Sequence, residues 1–337
     1  MTVLLSSHMT KLSLALCALC MLASCSSKIT PPVAPVDTTK HVPTDSTTHT
    51  WADTTITATY ALPLAHDTVD YYPPVKTGGI TDPAIPELSG LAASRAFAGL
   101  LWGENDSGNP NSVFVIDSTG TRRATFTVTG ASNRDWEDFA IGPGPTPGTN
   151  YLYLGEIGDN DALHSTSIVY RFPEPTWTPG ATLYSGAIPN VEKIEFRYVD
   201  GPHNAESLLI DPLTKDIYIV SKNDIANVYY LPYPQRTDTI VTLKKIAVLP
   251  LNTLTAGDIS ADGSEILLKN YVEIYYWKRG PHESVRDALL RAPVTLPYIQ
   301  EPKGEGMCFD PTGASFWTSG EVKNNMVPPI YRYWKKH

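Results

Sequence analysis

Cysteine is scarce, and it is missing where it could brace a fold. Of the four cysteines, Cys17, Cys20 and Cys25 stand near the N-terminus and only Cys308 lies beyond them. No internal disulfide can form in an exported domain that keeps only Cys308, so its core must hold it. The "MCF" around Cys308 reads as a buried strand with an inert thiol. Basic charge is also short. Lys and Arg number 26 against 35 Asp and Glu, for a net charge of −9. That balance excludes a binder of phosphate backbones and hence a nucleic-acid partner. No apolar run is long enough to span a bilayer, because Leu12–Leu22 falls well short of the ~20 residues needed. Helical periodicity is almost absent, which leaves an all-β chain. Beyond the N-terminal segment there is no G-x-S-x-G elbow, Walker loop, H-E-x-x-H or paired C-x-x-C.

The N-terminus is a targeting segment. In "MTKLSLALCALCMLASC", Lys11 supplies the positive charge and Leu12–Leu22 the apolar core. Leu22-Ala23-Ser24-Cys25 resembles a bacterial lipobox, in which the cysteine is lipidated. Residues 1–24 are therefore expected to be a lipoprotein signal peptide, and Cys25 the lipidation site that anchors the protein to the membrane of a bacterial cell envelope. An ordinary secretory signal is the plainer alternative. Residues 25–54 are rich in Thr, Ser, Pro and Asp, the composition of a disordered tether. Residues 55–337 remain for the folded domain, expected to be monomeric.

That domain repeats. "PELSGLAAS" (86–94), "DWEDFAIGP" (135–143), "NAESLLIDP" (204–212), "TAGDISADG" (255–263) and "KGEGMCFDPTG" (303–313) each place a short apolar run before a turn signal. Aligned on the turn, one position holds Ser89, Glu137, Glu206, Gly257 and Glu305, and in the fourth unit the acid, Asp258, is displaced by one. Each unit continues with a second apolar run, a third aromatic-rich one and, where there is room, a fourth alternating one. Four strands per unit and units of about 48 residues predict a single β-propeller of five four-stranded blades, or six if residues 55–85 contribute more than one strand. The last unit has only three strands, so the alternating run Thr55–Leu64 is expected to close it. Pro173–Asn190, rich in Pro and Gly, reads as a surface excursion.

In a propeller the first strand of each blade lines the channel, and its start lies beside the end of the second strand. Glu137, Glu206 and Glu305 should therefore meet Glu104, Asp106, Asp135, Glu156, Lys222 and Lys269 at one mouth. So many carboxylates need compensation. Lysines, backbone amides or a hard cation such as Ca²⁺ could provide it. Glu137, Glu206 and Glu305 are the candidate metal ligands, and the others line a binding funnel. Asp159 and His203 are the candidates for orienting water or acting as a base.

The segments "LLWGENDSG", "DWEDFAIGP", "YLYLGEIGDN", "VYRFPEP", "NAESLLIDP" and "EGMCFDP" resemble those of a family of uncharacterised bacterial exported propeller proteins. The resemblance covers roughly residues 85–320 and implies the fold without an activity. More distantly the chain is similar to phytase-like, paraoxonase-like and apyrase-like propellers, which implies a Ca²⁺ near the channel and hydrolysis at that mouth. Ser89 and Gly257 depart from their acidic column. Two readings follow. One is an envelope module that binds a protein or glycan. The other is a Ca²⁺-dependent hydrolase of phosphoesters or lactones.

Overall fold

The computed structural model describes residues 54–67, 70–180 and 182–336. The signal peptide, Cys25 and all of the tether but Thr54 lie outside the described residues. Among the described residues the fold is all-β apart from one short helix. Three N-terminal strands, β1 (Ile56–Thr57), β2 (Ala65–His66) and β3 (Val75–Gly79), precede the repeats. The first repeat is β4 (Leu88–Ala93), β5 (Leu100–Asn105), β6 (Ser112–Asp117) and β7 (Arg122–Val128). The second is β8 (Trp136–Pro143), β9 (Asn150–Glu156), β10 (Ser167–Pro173) and β12 (Glu192–Tyr198), with β11 (Tyr184–Ile188) inserted. The third is β13 (Ala205–Ile210), β14 (Ile217–Ser221), β15 (Ala226–Leu231) and β16 (Val241–Leu249). The fourth is β17 (Ala256–Ile259), β18 (Glu265–Lys269), β19 (Ile274–Lys278) and β20 (Val294–Leu296), with helix α1 (Val285–Leu289) before its last strand. The final strands are β21 (Gly306–Phe309), β22 (Ser315–Ser319) and β23 (Pro329–Trp334).

Within each repeat consecutive strands pair antiparallel. Burial follows position. β4, β13, β17 and β21 are buried along their whole length, as expected of strands covered on both faces. The fourth strands alternate instead. In β7, Ala124, Phe126 and Val128 point inward while Thr127 is exposed. The first strands stand side by side in a closed circuit. β4 neighbours β8, β8 neighbours β13, β13 neighbours β17, β17 neighbours β21, and β21 returns to β4.

The apolar core repeats this circuit. Trp102, Phe126, Phe139 and Phe172 fill the space between the first and second repeats. Tyr153, Phe196, Leu208 and Ile219 do so between the second and third. Tyr218, Tyr230, Leu268 and Trp277 join third to fourth, with α1 on the same cluster. Tyr276, Leu296, Phe316 and Tyr333 join fourth to fifth. Leu91, Phe114, Cys308 and Trp317 join fifth to first. Sheets packed face to face around a ring of inner strands are β-propeller geometry. Cys308 is buried in the last of these interfaces, and burial pushes its thiol well up.

Closure uses a different strand from the expected one. β3 pairs antiparallel with β23, Gly79 opposite Pro329 and Val75 opposite Arg332. The Thr55–Leu64 run contributes only β1, laid parallel on β16, and β2 follows it parallel on β20. Pro63 cannot donate to a ladder, which keeps that run short. The "VKTGG" of β3 suits the closing position because it ends in glycines. A Cβ on Gly78 would sit 2.2 Å from the carbonyl oxygen of Thr119 in the neighbouring first repeat. The Pro173–Asn190 excursion is also more than surface loop. Its β11 adds parallel to β7, and Trp177 packs on Trp102 and Phe126 with ring centroids 6.0 and 5.6 Å away.

Candidate functional site: an acidic mouth on the ring of first strands

The register fixes which side chains share one end of the ring. Leu88 pairs with Asn105, Trp136 with Glu156, Ala205 with Ser221, Ala256 with Lys269 and Gly306 with Ser319. First-strand starts and second-strand ends therefore converge, and the acids gather there. They divide into three groups.

The first group is internally neutralised. Lys222 donates to Glu206, lies 3.6 Å from Glu305 and also donates to the Tyr271 hydroxyl at 2.9 Å. Tyr271 in turn donates to Glu305 at 2.5 Å. Lys303 pairs with Glu321 at 2.5 Å. Burial and the bond to Glu305 push Glu321 up to about 9. Glu305 goes the other way: burial is outweighed by the bond from Glu321 and the charge of Lys222, which lower it. Burial raises Glu206 to about 8 against the opposing charge of Lys222.

The second group locks neighbouring sheets together. Asp138 accepts from the amides of Phe139 and Leu208, each at 2.8 Å, and of Gly257 at 3.3 Å. One carboxylate thereby ties β8 to β13 and β17. Asp258 repeats the device, accepting from Ile259 and Phe309 at 2.8 Å and tying β17 to β21. Ser89 completes the pattern by donating to the Glu137 carbonyl at 2.6 Å, which ties β4 to β8. Burial raises Asp138 well above the usual range and Asp258 to about 7.

The third group is Asp106, Asp135 and Glu137, in which one carboxylate oxygen from each lies within 4.8 Å of the others. Asp106 follows β5, Asp135 precedes β8 and Glu137 is on β8. Burial, with the charges of Asp106 and Glu156, pushes Asp135 up to about 6. Glu137 is raised well above its usual value by burial and by Glu206. The nearby Arg134 is held by Glu156, 3.2 Å from its Nε, and Glu156 also accepts from the Arg134 and Asp135 amides. A cleft of about 270 Å³ lined by Ser107, Arg134, Asp135, Asp159 and His164 opens beside this group. A larger groove, about 460 Å³, runs along β16 past Val199 and Lys245. It holds none of the mouth acids.

The remaining expected residues are placed as follows. Glu104 is fully buried, and its Oε1 accepts from the Gly90 amide at 2.7 Å rather than facing the funnel. Lys269 is not a funnel residue either. It is 0% exposed, donates to the Gly304 carbonyl and sits 3.9 Å from Glu301 beneath the 298–304 loop. Burial lowers it below the usual lysine value. Asp159 commits both oxygens to the Leu163 and His164 amides, at 2.9 and 2.8 Å. His203 pairs with Asp200 at 3.0 Å and packs against Tyr198 and Tyr229, turned from the acids. Glu206 and Glu305 meet at Lys222, whereas Glu137 meets Asp106 and Asp135. Tyr271, Lys303 and the locks Asp138 and Asp258 were not singled out from sequence. For Asp258 the signal was there: displaced by one place, it aligns with Asp138 and does the same work.

No protein-family model matches the chain, and no curated protein matches it. Among solved structures it is similar to the β-propeller domain of Myceliophteria thermophila Cps50 (Swd1). The match has 14% identity and a TM-score of 0.38, over 73% of this chain and 83% of that one.

Proposed function

We propose that this chain is a five-bladed β-propeller acting as a monomeric binding or scaffold module of the bacterial cell envelope. It is anchored through lipid on Cys25 and takes a protein or glycan ligand at the acidic mouth. The carrying observation is the division of labour among the mouth side chains. The two groups that hydrolysis would call on, Asp159 and His203, already have structural partners. Of the clustered acids Asp106, Asp135 and Glu137, Asp135 instead lines an open cleft. The five core clusters, each joining two neighbouring sheets around the ring, support the blade number.

A Ca²⁺-dependent hydrolase of phosphoesters or lactones is the second reading, favoured by the convergence of those same three acids. In it a bound cation would polarise the ester or activate water. The chain's own residues would hold the ion and narrow the approach. The deciding experiment assays 4-nitrophenyl phosphate and a γ-lactone with the full chain in Ca²⁺, beside a glycan array probed with wild type and Asp135→Asn. The binding reading expects no turnover and array signals that Asp135→Asn erases. Turnover that Asp159→Asn abolishes would replace it with the hydrolase.

A further inference from the structure

We propose that Asp106, Asp135 and Glu137 form a site for one hard divalent cation, of which Ca²⁺ is the fitting type. The site lies between the first and second sheets. This deepens the reading of the mouth as the working face and rests on it only for the ion's purpose.

Three observations meet here. Ca²⁺ takes oxygens at about 2.3–2.6 Å, so oxygens gathered within 4.8 Å of one another are within the span of a single ion. The second observation is independent of the clustering. Glu137 is 3% exposed, yet among the described residues its carboxylate accepts no hydrogen bond and meets no cation. Outside the cluster, Glu156, Glu305, Glu321 and Asp159 each have an arginine, a tyrosine, a lysine or backbone amides. Burying charge with no compensation costs several kcal/mol, so what is missing here is positive charge. The third is Gly158. A Cβ there would stand 2.3 Å from Glu137 Oε1 and 2.5 Å from Asp135 Oδ2, so a larger residue would push both carboxylates out of their present places.

The test uses the purified full chain after chelation, with Ca²⁺ alone followed by calorimetry. In parallel, Tb³⁺ emission is excited through tryptophan, since Trp136 sits between two of the ligands in sequence. One ion per chain is expected, together with a melting temperature that climbs with Ca²⁺ by mass action. Glu137→Gln should weaken Ca²⁺ by at least about 100-fold, beyond the loss typical of outer-shell partners. Asp135→Asn and Gly158→Ala should weaken it too, and Glu305→Gln, whose carboxylate belongs to Lys222 and Tyr271, by less than about 3-fold. Asp135 lies at the cleft edge, so its variant keeps the test alive if Glu137→Gln does not fold. No heat and no thermal shift up to about 10 mM Ca²⁺, beyond the range of weak extracellular sites, overturns the site. So does an equal loss in Glu305→Gln, which would move the ion onto the axis. Array binding that persists in chelator would leave the binding reading standing while this one falls.

Discussion

A single carboxylate, Asp138, receives three amides from three strands of three different repeats. Asp138→Ala strands all three inside the core. The expected loss is about 2–4 kcal/mol in urea unfolding, since each buried unsatisfied donor costs about 1–3 kcal/mol and partial relaxation recovers some of it. A loss below about 1 kcal/mol would mean the ring does not depend on this lock. The raised carboxyl of Glu321 makes a second expectation. The unfolded carboxyl ionises from its ordinary 4.5 upward, while the folded one keeps its proton to about 9. Over that window the folded state binds more protons, so stability from this group declines as pH rises. Glu321→Gln should flatten the fall between about pH 5 and 9 in a series of thermal melts. A wild-type slope equal to the variant's would dismiss the raised Glu321. At this scale sequence was a partial guide. It showed which acids end up at the mouth, because spacing sets strand position. It did not show their partners, because Lys222 reaches across to Glu305 and Tyr271 from another repeat.

The strands themselves were the most legible feature. Apolar runs at regular spacing with Asp-Pro, Gly-Pro and Asp-Gly turns mark the strands of the repeats well, whereas β11 lies in the segment read as a surface excursion. Edges were not legible, because period-two alternation says that a segment is a strand and nothing about which strand it joins. The run at Thr55–Leu64 has the alternation of an outer strand, yet it settles as β1 on a different sheet from the one it was expected to close. The five-residue α1, capped by Ser284 and buried through Val285, Ala288 and Leu289, is too short to show a helical period. These placements define a truncation series. Among the described residues, removing everything before residue 70 takes away only the two-residue strands β1 and β2, and stability should fall by about 1–2 kcal/mol. Starting at residue 82 also removes β3 and uncovers β23, and the loss should be several kcal/mol, a large share of a typical domain's total. Denaturant midpoints that drop equally for both would show that β3 does not close the ring.

Across the whole molecule, every sheet is held by two others, and the last interface joins the fifth repeat to the first. Unfolding should therefore be one cooperative transition, not a stepwise loss of repeats. The address is a property of the whole chain as well. Cys25→Ala should abolish palmitate labelling and move the protein out of the membrane fraction. Retention there after a salt wash would contradict the lipid anchor.

The N-terminal segment crosses the rim in order, from β1 on the third sheet, to β2 on the fourth, to β3 on the last. A pull on the chain ahead of residue 54 would load those contacts in the same order. The two-residue pairings of β1 and β2 would peel first and pay out slack before tension reached β3, whose longer ladder keeps the circle shut. Ahead of its closure the molecule thus carries a short, re-formable mechanical fuse.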